Sequence, residues 1–500
     1  MGKTDWRQRL LNIFAVVFLA FLVTVFLSNL VVTAYFDYRA EVPEHVLYRY
    51  GFPLFAIIGA AVFAGMGLAA ERRTLRPDTG RFRIWCTVLS MATGLTVVLF
   101  IAPEPVADQE AIHEIVLMFM RGDYSELLPQ TGVYEGYLAA YPHQLGMIAF
   151  MELLYTASGI KSYLLVRLLN VIAVGVIVYR ISGFTEKAYD EKAGRAAALL
   201  AALCFPMLLL TGFVYGDLIS AALSLTAFNG FARFLRKESR WDLLRTVVAM
   251  GFAVLLRKNT MILVIAMVIV LWLARTERRT WEKLLLCALL ILLPAGLFYG
   301  IDAYYAFRSG YEISDGIPAL SYIAMGFQRG KLADGWFNRF NWDSYVSFGC
   351  DGVRAKQEAL AALYQSFSEF RADPAYALRF LWHKFSSQWC EPTMESIFVN
   401  FPFKALLTNP AALKVIVFLE RIHQLLILFL SGCWFTLKRN KTALQLLPAI
   451  AAFGGFLFHM LWEAKSRYIL IYFVLLIPYA AAGLRLLADR REQRKEKRAL

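Results

Sequence analysis

The sequence predicts an all-α, polytopic integral membrane protein, and three observations carry that prediction. Of its 500 residues, 59% are hydrophobic and only 18% charged, where a soluble domain carries about 25% charge. The mean hydropathy is +0.52. Apolar runs of about 20 residues, the length at which a helix crosses hydrocarbon with its backbone satisfied, recur throughout.

The runs fall at 10–33, 52–70, 84–103, 142–158, 163–181, 195–212, 217–233, 243–257, 259–274, 284–301, 412–436, 442–461 and 467–487. They predict twelve to thirteen transmembrane helices. Lys3, Arg7 and Arg9 precede the first run, whose core is too long for a cleaved signal peptide and reads as a retained signal anchor.

A net charge of +14 invites a nucleic-acid partner, but the positions of the bases exclude one. Arg72, Arg73, Arg76, Arg81 and Arg83 share one short connection. Arg233, Arg236, Lys237, Arg240 and Arg245 share another, and Arg275, Arg278, Arg279 and Lys283 a third. Lys438, Arg439 and Lys441 follow, and the tail holds Arg490, Arg491, Arg494, Lys495, Lys497 and Arg498. Basic clusters beside spans mark the cytoplasmic side and contact anionic membrane lipids. Both termini are therefore expected inside, and the two large polar loops outside. Two outside loops require an even number of crossings between them, yet seven runs lie there. One run must be broken or re-entrant, or two must form one element, with Arg180 to Arg195 and 243–257 the weak points.

The chain divides into an N-terminal hairpin of spans with its arginine connection (1–83), a membrane module (84–301) holding a first outer loop at 104–141, and a large outer loop domain (302–411). C-terminal spans (412–488) and a basic tail (489–500) complete it. A loop as long as 302–411 is functional or a small domain; within it Lys356 to Phe367 reads as helical. Six cysteines lack metal-ligand spacing. Cys86, Cys204, Cys287 and Cys433 sit in apolar runs, while Cys350 and Cys390 fall in the large loop, where an oxidising space would allow a disulfide.

Six polar constellations interrupt the apolar background. Asp108-Gln109-Glu110 follows the third run, with His113 and Glu114 on the same helical face as Glu110. A carboxylate at a low-dielectric boundary suits a general base, and a capping role is the plainer reading. Tyr141-Pro142-His143-Gln144 opens the fourth run, proline suiting a first helical turn. Tyr215-Gly216-Asp217 puts an acid at a span junction, where acids are costly and often functional. Arg257-Lys258-Asn259 is basic, with no acid beside it in sequence, and suits a phosphate. His383-Lys384 marks the return of the large loop, Lys384 being a second phosphate candidate. Finally, Trp462-Glu463-Ala464-Lys465-Ser466-Arg467-Tyr468 separates the last two runs. On a helix its Glu463 and Arg467 would pair at four-residue spacing.

In order and spacing these motifs resemble the GT-C membrane glycosyltransferases, and in particular bacterial relatives of the dolichyl-phosphate-mannose protein mannosyltransferases. The resemblance runs over about 84–487. It implies GT-C architecture and transfer of a sugar, with inversion and without metal, from a polyprenyl-phosphate donor to an extracytoplasmic glycan, lipid or protein acceptor. It further implies that Asp108 or Glu110 is the catalytic acid of the first outer loop. His143, Gln144, Tyr215, Asp217, Arg257, Lys258, Asn259, Lys384, Glu463, Arg467 and Tyr468 are then expected to bind substrate. The family's doubled acid is split here by Gln109. No cofactor is expected, a divalent metal being left open. Two other classes share such a build: a lipid-linked oligosaccharide polymerase or ligase, and a transporter or flippase. A transporter favours paired repeats and broken midplane helices, and the sequence has no evident repeat.

Overall fold

In the computed structural model residues 6–37, 44–70, 78–239, 241–400 and 409–499 are described. Arg72, Arg73, Arg76 and Arg240 of the basic clusters lie outside them.

Almost every apolar run becomes a helix, as expected for a chain whose backbone must bond to itself in hydrocarbon. Among the described residues six helices are long and apolar enough to cross a membrane: Trp6–Val31, Thr79–Phe100, Leu164–Ala188, Asp217–Leu235, Thr280–Ser309 and Ala443–Leu461. Two bent pairs raise the number to eight, and Leu54–Ala69 and Lys258–Leu273 are shorter apolar helices. The twelve to thirteen runs read from sequence are thus spread over full spans, bent pairs and helices too short to cross alone. The chain is a multi-pass, all-α membrane protein.

Both bends have one cause. Glu191–Ala202 meets Phe205–Gly212 at 54°, and Arg467–Val474 meets Ile477–Gln493 at 41°. Pro206 and Pro478 each stand four residues past the last residue of the preceding helix, Ala202 and Val474. A proline ring collides with the carbonyl four residues back and donates no N–H, so each helix stops there and restarts. The run 195–212 is therefore one of the broken ones. The two suspected weak points are sound: Leu164–Ala188 continues through Arg180, Asp190 caps the next helix on the Ala193 amide, and Trp241–Leu256 is unbroken.

Helix Asp217–Leu235 packs on Trp241–Leu256 and on Leu164–Ala188, which lies against Thr79–Phe100. Helix Pro410–Leu437 packs on Ile477–Ala499 and on Trp6–Val31. The core between them is aromatic, with Phe18, Trp434 and Tyr479 fully buried.

Helix Thr280–Ser309 runs past 301 into the expected loop, which then forms helices Ala319–Gly326, Phe340–Ser347, Gly352–Ala372 and Pro374–Trp389. Cys350 and Cys390 are both free thiols, so the allowed disulfide is not formed. Cys390 is fully buried, and burial pushes its thiol up to about 12.

Among the described residues one sheet breaks the all-helical pattern. Strands Val32–Phe36 and Val46–Tyr50 pair antiparallel, Val32 opposite Tyr50, in the loop expected at 34–51. Alternating β-branched and aromatic residues favour such a ladder. Its inward face, Ala34, Phe36 and Val46, packs with Ala333, Trp336 and Ala464, so the N-terminal hairpin clamps the large loop to the segment before the last spans. Tyr48 stacks on His383 at 4.5 Å, and Lys465 Nζ meets Glu44 Oε1 at 2.7 Å.

Candidate functional site

The acids come first. Helix Asp108–Met120 begins after Ala107, whose φ of 52° lies in the left-handed region that a residue with a Cβ adopts only when held there. Asp108 and Glu110 are exposed in the first turn, where the helix dipole favours negative charge. With Tyr134, Glu135 and Tyr137 they line an open cleft of ≈ 300 Å³. Gln109 points the other way. It is buried, and its side-chain carbonyl accepts the Val214 N–H at 2.8 Å.

The split between the acids orients them. Burial, and then the Asp108 charge, push the Tyr215 hydroxyl up to about 12. Burial and Glu110 raise Tyr134. The Asp108 charge thus bears on Tyr215 and the Glu110 charge on Tyr134, although both acids line the one cleft.

Behind Asp108 lies a layer of arginine and tyrosine. Tyr141 leads into the turn Pro142–Gln144, and the Gln144 amide donates to the Tyr215 hydroxyl. Asp217 opens the helix Asp217–Leu235, and its Oδ1 receives Arg257 Nη2 at 3.2 Å. The Arg257 guanidinium sits 4.9 Å from the Tyr215 ring centroid and 5.8 Å from Tyr468. Arg467 lies 4.3 Å from the Phe213 ring, 5.7 Å from Tyr215 and 5.8 Å from Tyr468. Two guanidiniums thus share the same two tyrosine rings as neighbours, cation–π contacts that the planar cation favours. Among the described residues Arg257 has one carboxylate partner and the Arg467 guanidinium has none within salt-bridge distance. Asp217, Arg257, Asn259, Arg467 and Tyr468 line a cavity of ≈ 60 Å³ together with the apolar Leu218, Leu263, Leu470 and Val474 and the hydroxyl-bearing Ser220, Ser224 and Thr260.

Residues 146–298 match the family model described as dolichyl-phosphate-mannose-protein mannosyltransferase. The chain is similar to the GT-C membrane glycosyltransferases. Two solved structures from Archaeoglobus fulgidus also resemble it. Oligosaccharyltransferase AglB in complex with an inhibitory peptide and a dolichol-phosphate gives a TM-score of 0.44 at 14% identity, covering 84% of this chain and 52% of that one. The apo form of the Archaeoglobus fulgidus oligosaccharyltransferase gives 0.44 at 12%, covering 83% and 52%. The chain spans about half the length of those structures. No curated protein matches it.

In this GT-C-like chain most of the residues singled out from sequence converge on one layer. Gln144, Tyr215, Asp217, Arg257, Arg467 and Tyr468 are joined by the contacts above, Asn259 lines the cavity beside them, and Asp108 lines the acid cleft with Glu110. His143 is half-buried on the same turn as Gln144, and Lys258 is exposed beside Arg257.

Two residues are used differently from expectation. Lys384 is fully buried and donates to the carbonyls of Gly326 and Trp462, the latter at 2.9 Å. Its ammonium is spent on backbone, and burial lowers it to about 7. Glu463 and Arg467 do not meet along a helix, because 463–465 is irregular and the helical turn starts only at Arg467. Burial pushes the Glu463 carboxyl up to about 7, against the opposing pull of Lys465.

Sequence reasoning missed four residues. Glu126 is fully buried and accepts the N–H groups of Tyr134, Gly136 and Tyr137 at 2.7, 3.1 and 3.0 Å, shaping the wall of the acid cleft. Nothing local marks it. Glu152 receives Tyr305 Oη at 2.7 Å and Arg308 Nη1 at 2.5 Å; an acid inside the apolar run 142–158 was the available signal. Glu395, at a φ of 58°, accepts the Arg467 N–H at 3.4 Å. His459 is buried and lines the cavity.

Proposed function

We propose that this chain is a glycosyltransferase that moves a sugar from a polyprenyl-phosphate carrier to an extracytoplasmic glycan, lipid or protein acceptor. The observation that carries the reading is a pair of guanidiniums lining a cavity that also has apolar walls, together with an open cleft lined by two exposed carboxylates. A lipid phosphate asks for that combination: cations where its anion sits and hydrocarbon where its tail begins.

In this reading Arg257 and Arg467 hold the phosphate, and Leu218, Leu263 and Leu470 receive the first isoprene units. Asp108 takes the proton of the acceptor hydroxyl. The acceptor oxygen forms its bond to the anomeric carbon as the carbon–oxygen bond to phosphate breaks, and the phosphate leaves with the electron pair. Inversion follows from attack opposite the leaving group. Guanidiniums positioned before reaction stabilise the charge growing on that phosphate, which is worth most in a site shielded from water. Glu110 is the second candidate base, since it shares the cleft. Gln144 and Tyr215 position the layer through their hydrogen bond, Asp217 through its pair with Arg257.

The test is release of polyprenyl phosphate by the purified protein in nanodiscs, given polyprenyl-phosphate mannose or glucose and envelope-derived acceptors. Asp108→Asn is expected to abolish transfer while leaving donor binding within about twofold, and Arg467→Gln to weaken donor binding. Full activity in Asp108→Asn and Glu110→Gln together removes the catalytic assignment. Transport of the donor without release of its phosphate identifies a flippase instead.

A further inference from the structure

Three residues that line the cavity each hold a buried side-chain atom without a hydrogen-bond partner: Asp217 Oδ2, Arg467 Nε and His459 Nδ1. They come from three separate elements, the start of helix Asp217–Leu235, the turn at Arg467 and the end of helix Ala443–Leu461. A stranded buried polar atom carries the full cost of its desolvation, and native structures leave few of them unless something binds there. Convergence of three on one space is evidence of an occupant.

Their chemistry describes it. Arg467 Nε only donates, so the occupant must offer an acceptor on that side. Asp217 Oδ2, whose carboxylate is engaged with Arg257 through Oδ1, only accepts. The occupant must therefore also bring a proton donor. The spent carrier, an ionised phosphate monoester, supplies the acceptor and no donor. A phosphate esterified to a polyhydroxylated ring supplies both.

His459 completes the set. It is 1% exposed, and its ring is held against Tyr468 at 5.2 Å and 29° and against Phe458 at 5.0 Å in an edge contact. An imidazole clamped in this way presents its nitrogen in one direction and discriminates rather than adapts.

We infer that His459 and Asp217 read the sugar of the donor through hydrogen bonds with its hydroxyls, while Arg467 holds the phosphate. This rests on the donor reading above and adds to it where selectivity for a glycosylated carrier over the spent one resides. That selectivity matters, because the spent carrier is a product that competes for the same cations.

The experiment compares binding of polyprenyl phosphate with binding of polyprenyl-phosphate mannose and polyprenyl-phosphate glucose in nanodiscs. It uses the wild type, His459→Phe, His459→Gln, Asp217→Asn and Arg467→Gln, each checked for folding by thermal melting. In His459→Phe, affinity for the better glycosylated lipid is expected to fall about three- to tenfold, roughly one neutral hydrogen bond, with affinity for bare polyprenyl phosphate kept. His459→Gln, which retains a polar group, should recover part of the loss, and it also serves if the phenylalanine variant does not fold. Equal losses for both lipids would make His459 a phosphate ligand or a structural residue, and no loss for either would leave the cavity to water. Each of those results overturns the inference while leaving the donor reading intact, provided Arg467→Gln weakens both lipids. If the wild type binds none of the three lipids, the donor reading and this inference fall together.

Discussion

Glu126→Gln probes how the acid cleft is built. Glu126 lies fully buried beneath the segment that carries Tyr134, Glu135 and Tyr137, and its two oxygens accept three backbone N–H groups. The segment needs such an anchor, since Gln130, Gly132, Glu135 and Gly136 all have positive φ and no regular ladder joins them. Glutamine has one acceptor oxygen, and its amide hydrogens would face a backbone donor. At least one buried N–H is then left unpaired at about 1–3 kcal/mol, and the remaining bonds lose the charge that made them roughly twice as strong as neutral ones. The sum is about 2–5 kcal/mol of local stability, against two carboxylate oxygens that are well satisfied in the wild type. The assay is hydrogen exchange at single-residue resolution in nanodiscs. The amides of Tyr134, Gly136 and Tyr137 are expected to exchange about thirtyfold to several thousandfold faster, with the core amides of helix Asp217–Leu235 unchanged. Wild-type exchange at those three positions would refute the anchoring role. So would equal acceleration throughout the bundle, which would mean a global rather than a local loss.

Two further outcomes follow from buried groups. Lys384 is lowered to about 7 in the fold, so above that pH the unfolded chain binds a proton that the folded chain does not. Its contribution makes stability rise as pH climbs from about 7 towards about 10.4, the free lysine range. Lys384→Met should flatten that part of the melting-temperature profile, and an unchanged slope would exclude the buried amine as its source. Gly146→Ala would push a Cβ into the Leu255 carbonyl, two residues before Arg257, and is expected to cost about 1–3 kcal/mol. Gly65→Ala, with open space at its Cβ, should be neutral or gain up to about 1 kcal/mol from helix propensity, so the two melting temperatures must move apart.

The fold was legible because hydrocarbon imposes a simple rule on sequence: long apolar runs become helices. What escaped was whatever depends on single residues breaking that rule. Pro206 and Pro478 stood in plain view inside runs, yet run length alone does not register a carbonyl collision four residues back. The strands at Val32–Phe36 and Val46–Tyr50 were hidden beside a span whose apolar residues continue into the first of them. Polar motifs at span junctions converged because junctions from distant runs meet at one level of the bundle. Lys384 and Glu126 show the limit of that logic. Both are charged residues whose fate was decided by which backbone groups happened to lie nearby, and sequence carries no record of that. His459 was overlooked for a related reason, being one polar side chain at the end of an apolar helix, with its significance set by Asp217 and Arg467 more than 200 and 8 residues away.

The glutamine between the two acids carries a mechanical implication. Its bond to the Val214 amide joins the first turn of helix Asp108–Met120 to the strand of chain that ends in Tyr215 and Asp217. The exposed carboxylates of that helix and the arginine layer are therefore linked by one short strut that bypasses the connecting chain on either side. A disturbance that tilts the arginine layer would carry the carboxylate with it, and their spacing would be the last thing to change. Thermal motion elsewhere in so large a bundle then leaves the spacing of acid and arginine layer the same.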